Sequence, residues 1–216
     1  MKLINVIEIN PLNFSKEGSA LPEVSDFPDP EDWYDEWVKT VSILDFDFNT
    51  ISKGSYLVDI ESVDDRNLEI ILQGIEFDEF EDEILPFDGG IALMEDNKAL
   101  LLPTCCGDIG NIQEWKKILE DKTQEWNDLW IGHPWVFYKK NKGKIQFSDY
   151  SDENLKDITD IKSMIEIDEL ELKTELMKAE QQQINFQNRI SKTLEKLKIE
   201  NFDKISQSLT GISKMI

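Results

Sequence analysis

No uninterrupted apolar run of about 18 residues occurs in the chain, so no membrane-spanning helix is expected. The opening segment Met1-Lys2-Leu3-Ile4-Asn5-Val6-Ile7-Glu8 meets an acid too early to form the apolar centre of a secretory signal. A cytoplasmic protein is the expectation. Cysteine is scarce. The only two, Cys105 and Cys106, are adjacent, and a disulfide at that spacing closes a strained eight-membered ring, which argues against a structural cross-link and for a reducing compartment. Histidine occurs once, as His133, and the cysteines and histidine leave a zinc site without a clustered third and fourth ligand. Basic residues are also few: 23 Lys and Arg stand against 45 Asp and Glu, a net charge of −22. Affinity for a polyanion comes from replacing counterions with Lys and Arg, so this balance argues against direct nucleic-acid binding. An anionic membrane surface is disfavoured for the same reason.

The acid is concentrated. Residues 1–150 hold 32 Asp/Glu against 13 Lys/Arg, a net of −19, whereas residues 151–216 hold 13 against 10, a net of −3. Two stretches contain no Lys or Arg at all, residues 17–38 with eight carboxylates and residues 67–97 with ten. Both interleave their acids with large apolar residues, as in Asp32-Trp33-Tyr34-Asp35-Glu36-Trp37 and Phe77-Asp78-Glu79-Phe80-Glu81, a mixture that can fold while presenting a negative field. No calcium-binding loop pattern with its spaced carboxylates is found.

Hydrophobic periodicity gives the order of elements. Residues 3–9 read as a strand stopped by Pro11, and Asp29-Pro30-Glu31-Asp32 reads as a helix start, with Asp29 as cap and Pro30 in the first turn. Trp33, Trp37, Val41 and Leu44 then share a face that should be buried. Segments 56–63 and 68–77, rich in Leu, Ile and Val, read as neighbouring strands, and 91–94 with 99–102 as a hairpin. Asn111 opens a helix carrying Ile112, Trp115, Ile118 and Leu119, and Trp126, Leu129 and Trp130 read as a second short helix. A last hairpin pairs 135–138 with 145–147. From about 155 the chain turns rich in Lys, Glu, Gln and Leu and is expected to be helical without adding to the sheet. Leu170, Met177, Ile184, Ile190, Leu194 and Leu197 give one stripe, and Phe202, Ile205, Leu209, Ile212 and Ile216 a heptad-like seam that needs a partner surface, on the same chain or another. The expectation is an α+β fold, an antiparallel sheet with flanking helices: an acidic α+β domain over 1–150 and a helical C-terminal extension over 151–216.

Cys105, Cys106, Asp108 and His133 form the constellation closest to a catalytic site, because a thiolate near a helix start with a histidine base is a recognised nucleophile. The simpler reading is that the cysteines fill a strand end and are mostly buried, Asp108 caps the next turn, and His133 ties a turn beside Pro134, with no catalytic group, metal or cofactor.

Leu102-Pro103-Thr104-Cys105-Cys106-Gly107-Asp108-Ile109, the helix with Trp115, and Leu129-Trp130-Ile131-Gly132-His133-Pro134-Trp135 resemble bacterial proteins of the SMI1/KNR4, or SUKH-like, superfamily. The resemblance covers residues 20–150 at most. It implies an α+β immunity protein that neutralises a toxin, often a nuclease with a cationic active site, by binding it without catalysis. The charge distribution leads separately to a basic protein partner, met by Asp29, Asp32, Asp35, Glu36, Asp78, Glu79, Glu81, Asp82 and Glu83, with Trp33, Tyr34, Phe77 and Phe80 as aromatic anchors. The alternatives are a thiol-dependent enzyme using Cys105 or Cys106 with His133, and an assembly protein that self-associates through its C-terminal helices.

Overall fold

Eight strands form two four-stranded antiparallel sheets, and five α-helices pack around them, in a computed structural model that describes residues 1–15, 18, 20–44, 50–52, 55–75, 77 and 84–212. The first sheet runs β2 (Leu57–Asp59), β1 (Lys2–Glu8), β3 (Gly89–Glu95), β4 (Lys98–Leu101). The second runs β5 (Asn127–Leu129), β6 (Val136–Asn141), β7 (Lys144–Phe147), β8 (Ile165–Asp168). The α+β class and both expected hairpins, β3–β4 and β6–β7, are present.

Helix α1 spans Pro30–Val41 and starts as its sequence dictates: the Asp29 carboxylate accepts from the Glu31 N–H at 2.9 Å, with Pro30 in the first turn. Helix α3 (Ile112–Glu120) buries Ile112, Trp115 and Ile118 as its spacing requires, although Asn111 makes no side-chain cap. Asp108 does cap the preceding turn, accepting from Gly110 N at 2.7 Å.

Four expectations are corrected. Residues 68–77 are not a strand: Asp65–Gln73 is helix α2, opened by Asp64, whose carboxylate accepts from Asn67 N at 2.7 Å. Leu68, Ile71 and Leu72 recur at helical spacing and are buried, so the cap and the period outweigh the strand preference of the Ile70-Ile71 pair. Trp126–Trp130 is not a helix. Asn127 donates to the Asp121 carboxylate, the Thr123 hydroxyl and the Glu125 carbonyl, side-chain bonds that compete with a helical backbone, and β5 pairs instead with β6. Residues 165–168 alternate Ile-Glu-Ile-Asp and extend the second sheet as β8, against β7.

The fourth correction concerns the long helix α4 (Glu169–Lys196), which Asp168 caps. Leu170 and Met177 are 72% and 65% exposed, and the buried stripe is Leu172, Leu176, Ala179, Gln183, Phe186, Ile190 and Leu194. That stripe feeds two cores. Leu172, Leu176 and Ala179 join Leu3, Leu93, Trp115, Val136 and Phe147 between the two sheets. Phe186, Ile190 and Leu194 join Ile7, Val58, Leu68 and Ile205 under the first sheet. The tail therefore lies inside the fold and not merely beside it. Ile205 and Leu209 of helix α5 (Phe202–Thr210) are buried in the second of these cores, so the seam finds its partner surface within the chain; Ile216 lies outside the described residues.

Candidate partner-binding surface

Six of the sequence-selected residues, Asp29, Asp32, Trp33, Tyr34, Asp35 and Glu36, fall on α1 and its cap. The helix turns its lower face inward through Val38 and Val41, and Leu44 follows them into the core. Trp33 and Trp37 do not follow. Both stay half-buried, because a twelve-residue helix resting on the short segments 11–14 and 24–26 has no core deep enough near its N-terminus to cover two indoles. They stack on each other at 6.1 Å, and Trp33 is pinned by donating its indole N–H to the Pro22 carbonyl at 3.0 Å.

Tyr34 extends the array to four rings, lying 5.7 Å from Trp37 and 5.8 Å from Tyr56. Its hydroxyl is buried without a hydrogen-bond partner. Burial, with the neighbouring Tyr56 as a second cause, pushes its pKa well above the ordinary tyrosine value, so the phenol stays neutral. Around these rings Asp29, Asp32 and Glu36 are exposed and Asp35 half-exposed, and Lys39 in the last turn is the only base on the helix.

The same neighbourhood carries apolar surface that sequence reasoning missed. Leu12, Leu21, Val24 and Ile43 are 53%, 60%, 67% and 45% exposed, and all lie on or next to segments that pack against α1 or continue from it. The signal was present for Leu21 and Val24, which sit inside the base-free stretch 17–38 without any helical or strand period to bury them. Tyr56 was also missed, since only the folded chain brings it to Tyr34.

The second acidic segment is placed differently. Phe77 is half-buried against the core under the first sheet and lines a cleft of about 1120 Å³ with Phe14, Ile75, Ile84, Phe87 and Leu209. Phe14 belongs to the 11–14 segment that also supports α1, so the cleft and the aromatic helix share a wall. Asp78, Glu79, Phe80, Glu81, Asp82 and Glu83 lie outside the described residues.

No protein-family profile, curated protein or solved structure matches this chain.

The cysteines are where expectation and structure part. Both are exposed, not buried. The turn 104–107, closed by Gly107 N–H to the Thr104 carbonyl at 3.0 Å, holds Cys106 at φ +67°, and the two side chains leave the strand end for solvent. Cys105 does meet His133, but through the backbone: the His133 N–H donates to the Cys105 carbonyl at 2.9 Å. The His133 ring stands edge-on to Trp135 at 4.7 Å, and its Nε2 is 3.9 Å from an Asp152 carboxylate oxygen. The Cys105 thiol is held above its ordinary pKa, first by its hydrogen bond with the Cys106 thiol, then by the Cys106 charge, burial, and the carboxylates of Glu8 and Asp88. A catalytic thiol needs the opposite shift. Among the described residues no three His, Cys, Asp or Glu side chains converge as metal ligands, and no helix is long and apolar enough to cross a membrane.

Proposed function

We propose that this chain is a non-enzymatic, cytoplasmic binding protein that neutralises a basic protein, in the manner of an immunity protein acting on a toxin domain. The observation that carries the reading is α1: a four-ring aromatic array left half-buried, ringed by Asp29, Asp32, Asp35 and Glu36, with exposed Leu21 and Val24 beside it. Rigid aromatics with apolar neighbours supply the desolvated centre of an interface, and a charged rim steers the partner to it. Arginine suits such a surface, because its guanidinium stacks on indole while pairing with carboxylate. The SUKH-like resemblance leads to the same class of partner.

The decisive measurement is the kinetics of binding to a basic toxin domain, followed from low to physiological salt. Joint replacement of Asp32, Asp35 and Glu36 by Lys should cut the association rate at low salt by about tenfold or more and leave dissociation nearly unchanged. Trp33→Ala should raise dissociation instead, by about 2 kcal/mol if the indole is a central anchor. Association indifferent to both salt and charge reversal would sink this reading and leave the negative field as a solubility feature.

A further inference from the structure

Cys105 and Cys106 are exposed with their sulfurs 3.5 Å apart, and the backbone that carries them is locked from several sides. Thr104 N–H donates to the Ile131 carbonyl at 2.9 Å, His133 N–H to Cys105, and Gly89 N–H to the Gly107 carbonyl at 3.0 Å. The packing is as tight as the hydrogen bonding. A Cβ at Gly132 would stand 2.5 Å from the Thr104 carbonyl oxygen and 2.6 Å from that of Cys105, and one at Gly107 would stand 2.7 Å from the Ile131 carbonyl oxygen. The turn therefore fixes the backbone from which the two thiols project, and the side chains place their sulfurs 3.5 Å apart.

That bite discriminates among ligands. A direct disulfide needs the sulfurs at about 2.05 Å, so they would have to close by about 1.5 Å into a strained eight-membered ring on a turn already held by backbone hydrogen bonds. A single atom bridging both sulfurs with bonds of about 2.3 Å, the length of a metal–thiolate bond, spans 3.5 Å at an angle of about 100° and needs no such closure. A closed tetrahedral centre is disfavoured, since no third His, Cys, Asp or Glu converges here among the described residues. What remains is an electrophile satisfied by two thiols.

We propose that Cys105 and Cys106 form a chelating dithiol site for trivalent organoarsenicals and chemically equivalent thiophilic centres. With an arsine oxide R–As=O, the two thiols add in a condensation. Two As–S bonds form, the As=O bond breaks, and both thiol protons leave with the oxygen as one water. Arsenic stays trivalent and sulfur stays at the thiol level, so no oxidant or reductant takes part. Both thiol protons are taken up in that water, so the condensation as a whole releases no proton to solvent. The proposal does not rest on the α1 surface binding a basic partner, although Cys105 lines a small cleft with Tyr56 of the aromatic array.

The test uses the full chain and phenylarsine oxide, followed by intact-mass spectrometry and competition with 2,3-dimercaptopropanol. One phenylarsenic should add per chain with loss of one water, and the dithiol competitor should remove it. Cys105→Ser and Cys106→Ser should each weaken retention by about 100-fold or more, because closing the second bond within the chain supplies the chelate advantage. Both variants should keep the wild-type circular dichroism and still react once with N-ethylmaleimide, which separates loss of the chelate from loss of fold or exposure. Wild-type retention no stronger than that of either single variant would overturn the proposal.

Discussion

Two buried polar side chains make contrasting contributions. Gln183 is wholly buried in the middle of α4, and its amide donates to the Ile109 carbonyl at 2.8 Å and the Thr210 carbonyl at 2.7 Å, tying the α3 approach and the end of α5 to one helix. Gln183→Leu leaves two buried acceptors unmet but also removes the buried, unpaired Gln183 Oε1, so it should cost about 1–3 kcal/mol in chemical denaturation, with an unchanged denaturant slope. Tyr34 differs, because its hydroxyl is buried with only the Tyr56 side chain as a polar neighbour and makes no well-formed hydrogen bond. Tyr34→Phe should be neutral or mildly stabilising at pH 7. It should also flatten the alkaline limb of the stability curve. The folded-state pKa of Tyr34 is raised above the unfolded value near 10, so the stability tied to its neutral form is complete below about pH 10 and is lost as pH rises past it. Denaturation midpoints of the two proteins between pH 8 and 11 check this. An equally steep alkaline loss in the phenylalanine variant would assign the effect to Tyr138 and Tyr150, whose pKa values burial also raises.

At the level of elements, caps decided what composition left ambiguous. Asp64 determines that residues 65–73 are a helix, since its carboxylate accepts from both the Asn67 N–H and the Asn67 amide at 2.7 and 3.0 Å. Asp64→Ala should cost about 1 kcal/mol and show as lost helical signal and faster amide exchange through Leu68. No change in exchange there would mean that burial of Leu68, Ile71 and Leu72 holds the helix without its cap. The tail shows the same logic at larger scale. Arg189 pairs with Asp65 at 3.0 Å and Lys196 with Glu69, so α4 supplies bases to α2, part of the acidic half of the chain. Such exposed pairs set orientation more than stability, each being worth about 1 kcal/mol or less.

The whole molecule follows from α4 serving both cores. A chain ending at residue 160 loses β8 from the second sheet and the Leu172–Leu194 stripe from beneath both. Such a truncation should fail to fold, with a flat urea profile and amide resonances collapsed to unfolded shifts. The full chain should unfold in a single transition seen alike by tryptophan fluorescence and circular dichroism. A cooperative transition in the truncated chain would show that residues 1–160 hold a core of their own.

The sequence by itself determined the class of fold, the start of α1, both hairpins and the helical character of most of the tail, because each rests on local chemistry: a cap, a turn or an apolar period within one segment. It also marked α1 as acidic and aromatic. Only the tertiary structure decided which apolar residues are covered. Trp33 and Trp37 carry the same periodic signal as Val41, yet burial depends on what stands opposite, and nothing deep stands opposite the first turns of α1. Leu170 and Met177 belong to the expected apolar stripe yet face outward, whereas Gln183, a polar residue outside that stripe, lies at the centre, because the face α4 turns inward is set by the sheets it crosses. The cysteines followed the same rule. Their adjacency was plain in the chain, but their exposure and their 3.5 Å bite come from a turn held by Ile131 and His133, residues that only the fold brings to it.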